Sequence, residues 1–424
     1  MRVVHVVGAG LAGLSAAVRL AEAGERVILY EAAKQAGGRC RSYFDPGLGL
    51  EIDNGNHLLL SGNRSALSYV ELTGGSAALT VAEEAAFDFA DLRSGERWRL
   101  RPNRGRLPWW ILVGSRRVPG TRASEYLAPA RLLGAAAETR IADVMRCSGA
   151  LYDRLWKPVL LSALNTEVPE ASARLAGAIV RESLGAGGDA SRPVVATGGL
   201  AAAFVDPAIA YLKRQGGEIR FGERLRAVTA ADGIVRQLGF AGGEVTLRTE
   251  DAVVIAVPPW VAGDLLPQIP MPDDHRGILN VHFRAPPPPG QPLFVGTIGG
   301  ISEWVFAYPD RMSVTVSAAD RLFDTEREEL ARTIWGEVAK VAGLPAELPP
   351  WQIVKEKRAT FAATPHQDAR RPAATTGYAN LVLAGDWTQT GLPATIEGAI
   401  RSGETAARVL RRGDTGISRF VSKA

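Results

Sequence analysis

The chain has 424 residues, of which 46% are hydrophobic, enough for a globular protein of two or three domain-sized units. Its formal net charge is only +4 and it contains no long basic block, so nucleic-acid binding is not expected. The two cysteines and five scattered histidines provide neither a disulfide framework nor the spacing of a metal site. This cysteine usage is typical of a reducing compartment.

The N-terminal segment has the pattern of a β-α-β unit. Val3–Val7 is an apolar run typical of a buried strand, residues 11–23 have an Ala- and Leu-rich helical pattern, and residues 26–30 predict a second strand. The positive start and the apolar run are also features of an export signal, but the regularly placed glycines favour a nucleotide-binding fold.

Three glycines between the first strand and the helix have the spacing G-x-G-x-x-G. In such a turn Gly8 permits the tight bend, Gly10 lets a pyrophosphate approach the backbone, and Gly13 lets the helix pack on the strand. The helix opens at Leu11 and Ala12, where free backbone amides and the helix dipole favour anionic phosphates. The motif therefore predicts an adenine dinucleotide site.

The residues after the second strand decide between NAD and FAD. Glu31 ends that strand, where its carboxylate can accept hydrogen bonds from a ribose diol. Gly38 and Arg39 would bring more backbone and a cation to the same pyrophosphate, which NAD enzymes seldom need. The run from Glu31 to Arg41 resembles FAD enzymes of the amine-oxidase and carotenoid-desaturase superfamily, so the predicted cofactor is FAD.

Two further segments resemble the same superfamily. Residues 53–57, Asp-Asn-Gly-Asn-His, resemble a turn whose backbone lies against the flavin ring, and residues 385–399 resemble the segment that closes the flavin site. A helix N-terminus in the second segment would stabilise negative charge on the pyrimidine edge of a reduced flavin. The cofactor contacts assigned in this way are Gly55, Asn56, Gly385, Asp386, Thr395 and Ile396; Val228, outside these segments, is assigned as a further cofactor contact.

Within this superfamily the chain resembles the hydroxysqualene dehydroxylases, also called squalene-associated FAD-dependent desaturases, over nearly its whole length. The most telling segments are residues 53–60, 105–110, 116–120, 155–158, 163–166 and 385–393. Asn56 departs from the family pattern, where Pro is expected, and should change the rigidity of the turn more than the chemistry. The resemblance implies that reduced FAD supplies hydride to replace the allylic hydroxyl of hydroxysqualene, giving squalene for hopanoid biosynthesis.

Removal of a hydroxyl as water requires a proton, and three residues are candidates for the reacting part of the site. His57 is the predicted general acid because its motif lies beside the flavin ring. The alternative is that His57 only bonds backbone or phosphate. Asn165 and Trp387 are predicted to line the substrate pocket, although both residue types also serve in packing.

The fold class predicted is α/β, with a Rossmann-like FAD-binding domain interrupted by an α+β substrate domain. The FAD-binding segments are 1–62, 196–262 and 352–424, and the substrate segments are 63–195, with helical periodicity, and 263–351.

A long isoprenoid substrate would need an apolar tunnel that opens towards a membrane. The run Pro108–Val113, which contains two tryptophans and is flanked by arginines, predicts an interfacial patch. We therefore expect a cytoplasmic protein, peripheral on the inner face of the cytoplasmic membrane, whose FAD is reduced by a separate reductase or by free reduced flavin. Two alternatives stay open: a carotenoid-type desaturase, and a non-enzymatic lipid-binding protein like the Rab GDP-dissociation inhibitors.

Overall fold

The structure, a computed structural model, describes residues 2–413; the ends of the first and last predicted domain segments, residue 1 and residues 414–424, lie outside the described residues. The strands in this range are β1 (Val3–Val7), β2 (Arg26–Glu31), β3 (Ser42–Asp45), β4 (Leu50–Asp53), β5 (Leu58–Leu60), β6 (Thr80–Val81), β7 (Phe87–Asp91), β8 (Arg97–Leu100), β9 (Pro193–Val195), β10 (Glu218–Phe221), β11 (Leu225–Ala231), β12 (Ile234–Phe240), β13 (Gly243–Thr246), β14 (Ala252–Ile255), β15 (His275–Phe283), β16 (Phe294–Ile298), β17 (Trp304–Ala307), β18 (Met312–Val316), β19 (Trp351–Phe361) and β20 (Leu381–Leu383). The α-helices are α1 (Leu11–Glu22), α2 (Arg64–Thr73), α3 (Ile141–Val144), α4 (Lys157–Leu164), α5 (Ala173–Glu182), α6 (Asp206–Arg214), α7 (Pro259–Leu265), α8 (Arg327–Ala342), α9 (Pro365–Ala369) and α10 (Ile396–Arg412). Across residues 2–413, none of these helices has both the length and the apolar character needed to cross a bilayer.

A parallel five-stranded sheet in the order β10-β2-β1-β14-β20 forms the first domain. Its strands come from three separated segments of the chain, and the predicted Rossmann-like fold is confirmed. The central strands β1 and β14 are buried on both faces, which explains their continuous apolar runs. Helix α10 packs closely on α1, and Gly403 permits this contact: a Cβ at that position would lie only 2.3 Å from the Ala12 carbonyl oxygen.

A seven-stranded sheet in the order β19-β15-β18-β17-β16-β7-β8 forms the second domain. The parallel pairing of β16 with β7 joins the two predicted substrate segments in this single sheet. Strand β19 pairs with β15 as far as Phe361, so the sheet continues beyond the boundary predicted after residue 351. Helix α8 and its hydrophobic cluster cover one face of the sheet.

The helical character predicted for residues 63–195 holds only in part. Strands β7 and β8 lie in this segment, and residues 109–132 form short 3₁₀ turns rather than regular helices. In β8 the burial alternates, with Arg97 and Arg99 exposed and Trp98 and Leu100 buried. This alternation is the strand signal that the Arg- and Leu-rich composition obscured.

Candidate cofactor and substrate site

One continuous cavity of about 750 Å³ runs between the two domains. We call its two parts the dinucleotide half and the apolar half. The dinucleotide half is lined by residues from the glycine turn, the loop after β2 and the start of α10, including Gly8, Gly10, Leu11, Ala12, Glu31, Gly38, Arg39, Gly385, Asp386, Thr395 and Ile396. The apolar half is lined by Phe87, Phe89, Leu100, Leu155, Val159, Trp304 and Phe306.

The glycine turn has the geometry that its sequence predicts. Gly8 has a φ of +106°, a conformation that favours glycine. A Cβ at Gly13 would lie 1.8 Å from the Gly8 carbonyl oxygen, so this glycine permits the close contact of α1 with the turn. At Gly10 no heavy atom of the described chain, apart from Gly10 and its two neighbours in sequence, lies within 4 Å of the position that a Cβ would take. The space in front of Gly10 is therefore open to a ligand.

The loop after β2 brings a second length of backbone to the same place. The Gly37 amide donates to the Ala9 carbonyl oxygen at 2.8 Å, and a Cβ at Gly38 would lie 3.4 Å from the Gly10 Cα atom. The two carboxylate oxygens of Glu31 accept from the Ala9 and Ala33 amides, each at 2.8 Å. Each oxygen keeps a lone pair for a ribose hydroxyl, so Glu31 is both anchored and available.

Arg39 and Asp386 lie together in the dinucleotide half. The Arg39 Nη2 atom donates to Asp386 Oδ2 at 2.8 Å, and its Nη1 atom donates to the Ala359 carbonyl oxygen. Burial disfavours the Arg39 charge, but the neighbouring Asp386 carboxylate outweighs that cost and raises the pKa of Arg39. The pair places a cation and a hydrogen-bond acceptor side by side, as pyrophosphate and ribityl hydroxyls require.

Helix α10 begins at the wall of the cavity. The Thr395 hydroxyl accepts from the Gly398 amide at 3.0 Å, which caps the helix and leaves the other first-turn amides as donors. The Gly385 amide donates to Ser402 Oγ at 2.8 Å and fixes the preceding loop against the same helix. The positive end of the helix dipole therefore faces the cavity.

His57 lines the cavity, but its environment does not favour the predicted role of general acid. Burial, followed by the charge of Arg39, lowers the pKa of His57 to about 4. An imidazole with this pKa is neutral near pH 7, and a neutral imidazole is a weak proton donor. The general-acid role of His57 stays a prediction, which this charge state disfavours.

Asn56 ties the loop of residues 54–57 to the seven-stranded sheet. Its amide nitrogen Nδ2 donates to Thr315 Oγ1 at 3.1 Å, its backbone amide donates to Asn280 Oδ1 at 3.2 Å, and the Tyr308 hydroxyl donates to its Oδ1 atom at 3.3 Å. A proline at this position could make none of these bonds. The departure from the family pattern therefore coincides with a buried polar network, which the sequence prediction described only as a change in rigidity.

The predicted cofactor contact Val228 lies away from the cavity. Val228 lies in β11, opposite Leu238, and does not line the cavity; Glu223 and Leu225, earlier in the same segment, do. Strand β11 belongs to a small sheet with β12 and β13, and only its first residue reaches the cavity.

Asn165 and Trp387 both line the cavity and both have structural partners. Asn165 accepts from the Ala318 amide at 2.6 Å and donates to Thr360 Oγ1 at 3.0 Å. The Trp387 indole donates to the Val257 carbonyl oxygen at 3.0 Å. Asn165 and Trp387 therefore both line the cavity and support the surrounding structure, which are the two roles that the sequence left as alternatives.

The apolar half was not predicted residue by residue. Its aromatic side chains come from β7 and β17, strands of different chain segments, and Trp304 has an indole nitrogen without a hydrogen-bond partner among the described residues. The available signal was alternation in buried strands: Trp304 and Phe306 face the cavity, whereas Val305 faces the opposite core.

Comparison with known proteins identifies the family. Residues 11–411 match the family model of flavin-containing amine oxidoreductases. A hydroxysqualene dehydroxylase of Rhodopseudomonas palustris is 56% identical over 96% of this chain and 97% of its own length, and one of Sinorhizobium fredii is 50% identical over 95% and 97%. A 15-cis-phytoene desaturase of Synechococcus elongatus is 26% identical over 97% of this chain and 96% of its own length.

Solved structures share the fold. The cyclohexylamine oxidase of Brevibacterium oxydans superposes with a TM-score of 0.68 at 17% sequence identity, covering 96% of this chain and 98% of that one. The open cradle at Gly10, the anchored Glu31 and the α10 start fit FAD, and the protein is an FAD-dependent oxidoreductase. The chain belongs to the flavin-containing amine oxidoreductases and, within them, to the hydroxysqualene dehydroxylase family.

Proposed function

We propose that this protein removes the allylic hydroxyl of hydroxysqualene reductively and yields squalene, in hopanoid biosynthesis. The observation that carries the proposal, beside family membership, is the single cavity in which the dinucleotide half opens directly onto the apolar half. A long hydrocarbon bound in the apolar half would lie next to the flavin edge. The carbon that loses oxygen would then be within reach of the reductant.

The reaction balances as an alcohol, a proton and a hydride giving a hydrocarbon and water. Reduced FAD supplies the hydride when it is bound. The apolar walls exclude water from the allylic carbon, and the faces of Trp304 and Phe306 can stabilise positive charge that develops as the C–O bond breaks. In the dinucleotide half, the N-terminus of α10 can stabilise negative charge on a reduced flavin.

The test is anaerobic incubation of the purified protein with hydroxysqualene and chemically reduced FAD. We expect squalene by mass spectrometry, in an amount equal to the FAD oxidised. A carotenoid-type desaturase would instead convert phytoene and leave hydroxysqualene unchanged, and that result would overturn the proposal. A colourless protein that binds lipid without flavin would support the non-enzymatic alternative.

The electron source belongs to the same proposal. The sequence contains one dinucleotide fingerprint, which the flavin itself would occupy, so we propose that a separate reductase or free reduced flavin supplies the electrons. Reduction of the bound flavin by NADH or NADPH without an added reductase would contradict this.

We propose that the protein works on the cytoplasmic side of the membrane and contacts anionic lipid through an exposed surface. The apolar patch consists of Leu107, Trp109, Leu112, Leu127 and Leu133, of which Leu107 and Leu112 are 79% and 72% exposed. Exposed arginines lie beside it, including Arg101, Arg104, Arg106 and Arg131. Apolar side chains framed by cations suit an anionic bilayer surface.

The predicted patch needs one correction. Trp110 and Ile111, in the middle of the predicted run, are buried, and the Trp110 ring packs edge-on against Tyr126. Trp109 remains at the surface, with the Arg116 guanidinium over its ring. The patch therefore consists of the outward residues of several 3₁₀ turns rather than one continuous segment.

Vesicle co-sedimentation tests this surface. We expect binding to anionic vesicles that weakens in Leu112→Ser and in high salt, because exposed charges are screened. Phe44→Ser is the matched control, since Phe44 is 65% exposed but lies on β3, away from the patch. Equal binding of both variants, or no binding of the unmodified protein, would overturn the membrane proposal.

A further inference from the structure

The face of the seven-stranded sheet that borders the cavity is divided by polarity. Strands β7 and β17 contribute aromatic side chains, whereas β15 and β18 contribute Asn280 and Thr315. Ser317, just beyond the end of β18, continues this polar strip and also lines the cavity. A hydrocarbon with one hydroxyl would bind with its chain on the aromatic side and its oxygen on the polar strip.

The polar strip begins next to the loop that resembles the flavin-facing turn. Thr315 Oγ1 accepts from Asn56 Nδ2 at 3.1 Å and donates to Asn280 Oδ1 at 2.8 Å. Ser317 is two residues farther along, about 6–7 Å from Thr315 at the rise of an extended strand. A substrate hydroxyl bound at Ser317 would thus lie close to the loop that resembles the flavin-facing turn.

Three acidic groups closer to the dinucleotide half are engaged in ion pairs. Asp386 pairs with Arg39, and Glu182 pairs with Arg401 at 2.8 Å. Glu397 accepts from the Ala66 amide at 2.8 Å and from Arg401 at 2.9 Å. The oxygens of these three carboxylates are therefore already occupied by arginine or backbone donors.

Glu303 is different, because it contacts the polar strip and has no arginine partner at ion-pair distance in the described chain. Its Oε2 atom accepts from the Ser317 amide at 2.7 Å, and the Ser317 hydroxyl is a second hydrogen-bond partner. Its side chain is almost surrounded by protein and does not itself line the cavity, so it can act on the cavity only through Ser317, which does.

The electrostatic setting keeps a proton on this carboxyl. Burial raises the pKa of Glu303 to about 7, against the Ser317 hydrogen bonds and the charge of Arg321, which lower it. Glu167 is the other charged group that acts on it, and it raises the pKa. Near neutral pH the carboxyl is therefore partly protonated, as a general acid should be.

We propose that Glu303 is the proton source for the leaving hydroxyl, acting through the Ser317 hydroxyl. The inference rests on the proposed function. The Ser317 hydroxyl gives its proton to the substrate oxygen and takes the Glu303 proton, while the C–O bond breaks and water leaves. Uptake of hydride at the same carbon would complete the hydrocarbon, and Glu303 is reprotonated from solvent. Glu303 is a relay residue, because it acts through Ser317.

Glu303→Gln tests the proposal, since the amide oxygen can still accept from the Ser317 amide. We expect kcat for hydroxysqualene to fall by about 10²–10⁴-fold with flavin retained. In the unmodified protein the acid form is required, so kcat should fall as pH rises through about 7. This alkaline limb should be absent from Glu303→Gln, and its persistence would overturn the proposal.

Glu337→Gln is the matched control. Glu337 also holds the loop between β16 and β17, accepting from the Ser302 amide at 2.7 Å and from the Ile301 amide at 2.9 Å, but it contacts Ser302 rather than the cavity-lining Ser317. We expect this variant to keep the alkaline limb near pH 7. If Glu337→Gln also removes the alkaline limb, the effect comes from the loop between β16 and β17, and the proposed proton relay is wrong.

A readout without turnover separates this inference from the proposed function. Infrared spectroscopy of the flavin-loaded protein should show a protonated carboxyl band that titrates near pH 7 and is absent from Glu303→Gln. Ser317→Ala should keep such a band and lose turnover. Unmodified protein that shows the band but makes no squalene would refute the proposed function, whereas squalene formed at the normal rate by Ser317→Ala would refute the relay.

Discussion

The two halves of the cavity differ in what gives them their shape. The dinucleotide half is formed mainly by backbone: the glycine turn before α1, the loop after β2 and the start of α10. The apolar half is formed by side chains that project from β7, β8, α4 and β17, elements that lie far apart in the sequence. A backbone cradle fails when one Cβ is added, whereas a wall of side chains can be repacked. Flavin binding and substrate selection should therefore respond to different substitutions.

The largest effect is expected from Gly10→Val in the backbone cradle. The added side chain would occupy the open space in front of Gly10, where the pyrophosphate must approach. We expect purified protein without flavin, measured as the ratio of flavin absorbance to protein. Gly336→Val is the matched control, because Gly336 also has open space around its Cβ position but lies in α8, away from the cavity. A Gly10→Val protein that purifies fully loaded would show that the site is wrongly placed.

A smaller effect on the same half is expected from Glu31→Ala. The change removes the acceptor for the ribose and two hydrogen bonds to backbone amides, so FAD should bind about 10- to 100-fold more weakly, as for loss of charged hydrogen bonds. The dissociation constant can be measured by fluorescence titration of the flavin-free protein. Glu218→Ala, on the neighbouring strand β10 and paired with Arg220, should leave it unchanged. An unchanged constant for Glu31→Ala would remove its ribose role.

The same division explains what the sequence could reveal. The β-α-β unit, the FAD fingerprint and the closing helix depend on local spacing, so they were predicted at Gly8, Glu31 and Thr395. The apolar half depends on which strands become neighbours, and the pairing of β16 with β7 across two distant segments leaves no local pattern. Val228 illustrates this limit, since its segment reaches the cavity only at Leu225 and the residues just before it.

Where the two halves meet, Asn56 should affect stability more than flavin binding. Asn56→Ala would remove the side-chain bonds to Thr315 and Tyr308 and leave the buried Tyr308 hydroxyl without its acceptor, at a cost of about 1–3 kcal/mol in the free energy of unfolding. We expect a lower melting temperature with the flavin content preserved. Ser124→Ala, at an exposed surface position, serves as the control. Loss of flavin at an unchanged melting temperature would contradict this and show that Asn56 acts mainly as a cofactor contact.

The smallest effect on turnover is expected from His57→Gln, next to Asn56. Because the pKa of His57 is about 4, the imidazole is already neutral at the pH of the reaction, and its loss should lower kcat by less than about tenfold. The alkaline limb near pH 7 should remain, since we assign it to Glu303. A fall of a hundredfold or more, or a shift of that limb, would restore His57 as the acid.

The pH dependence of stability gives His57 a second and independent test. Its pKa in the folded protein is lowered to about 4 from the ordinary 6.5, so the neutral form stabilises the fold above pH 6.5. That contribution is lost as pH falls from 6.5 towards 4, because the unfolded chain takes up the proton first. His57→Gln should therefore show a shallower fall in melting temperature over this range. His282, whose pKa burial lowers to about 3, should maintain the remaining slope. An unchanged slope would mean that the His57 side chain is open to solvent in the folded protein, so that burial does not lower its pKa.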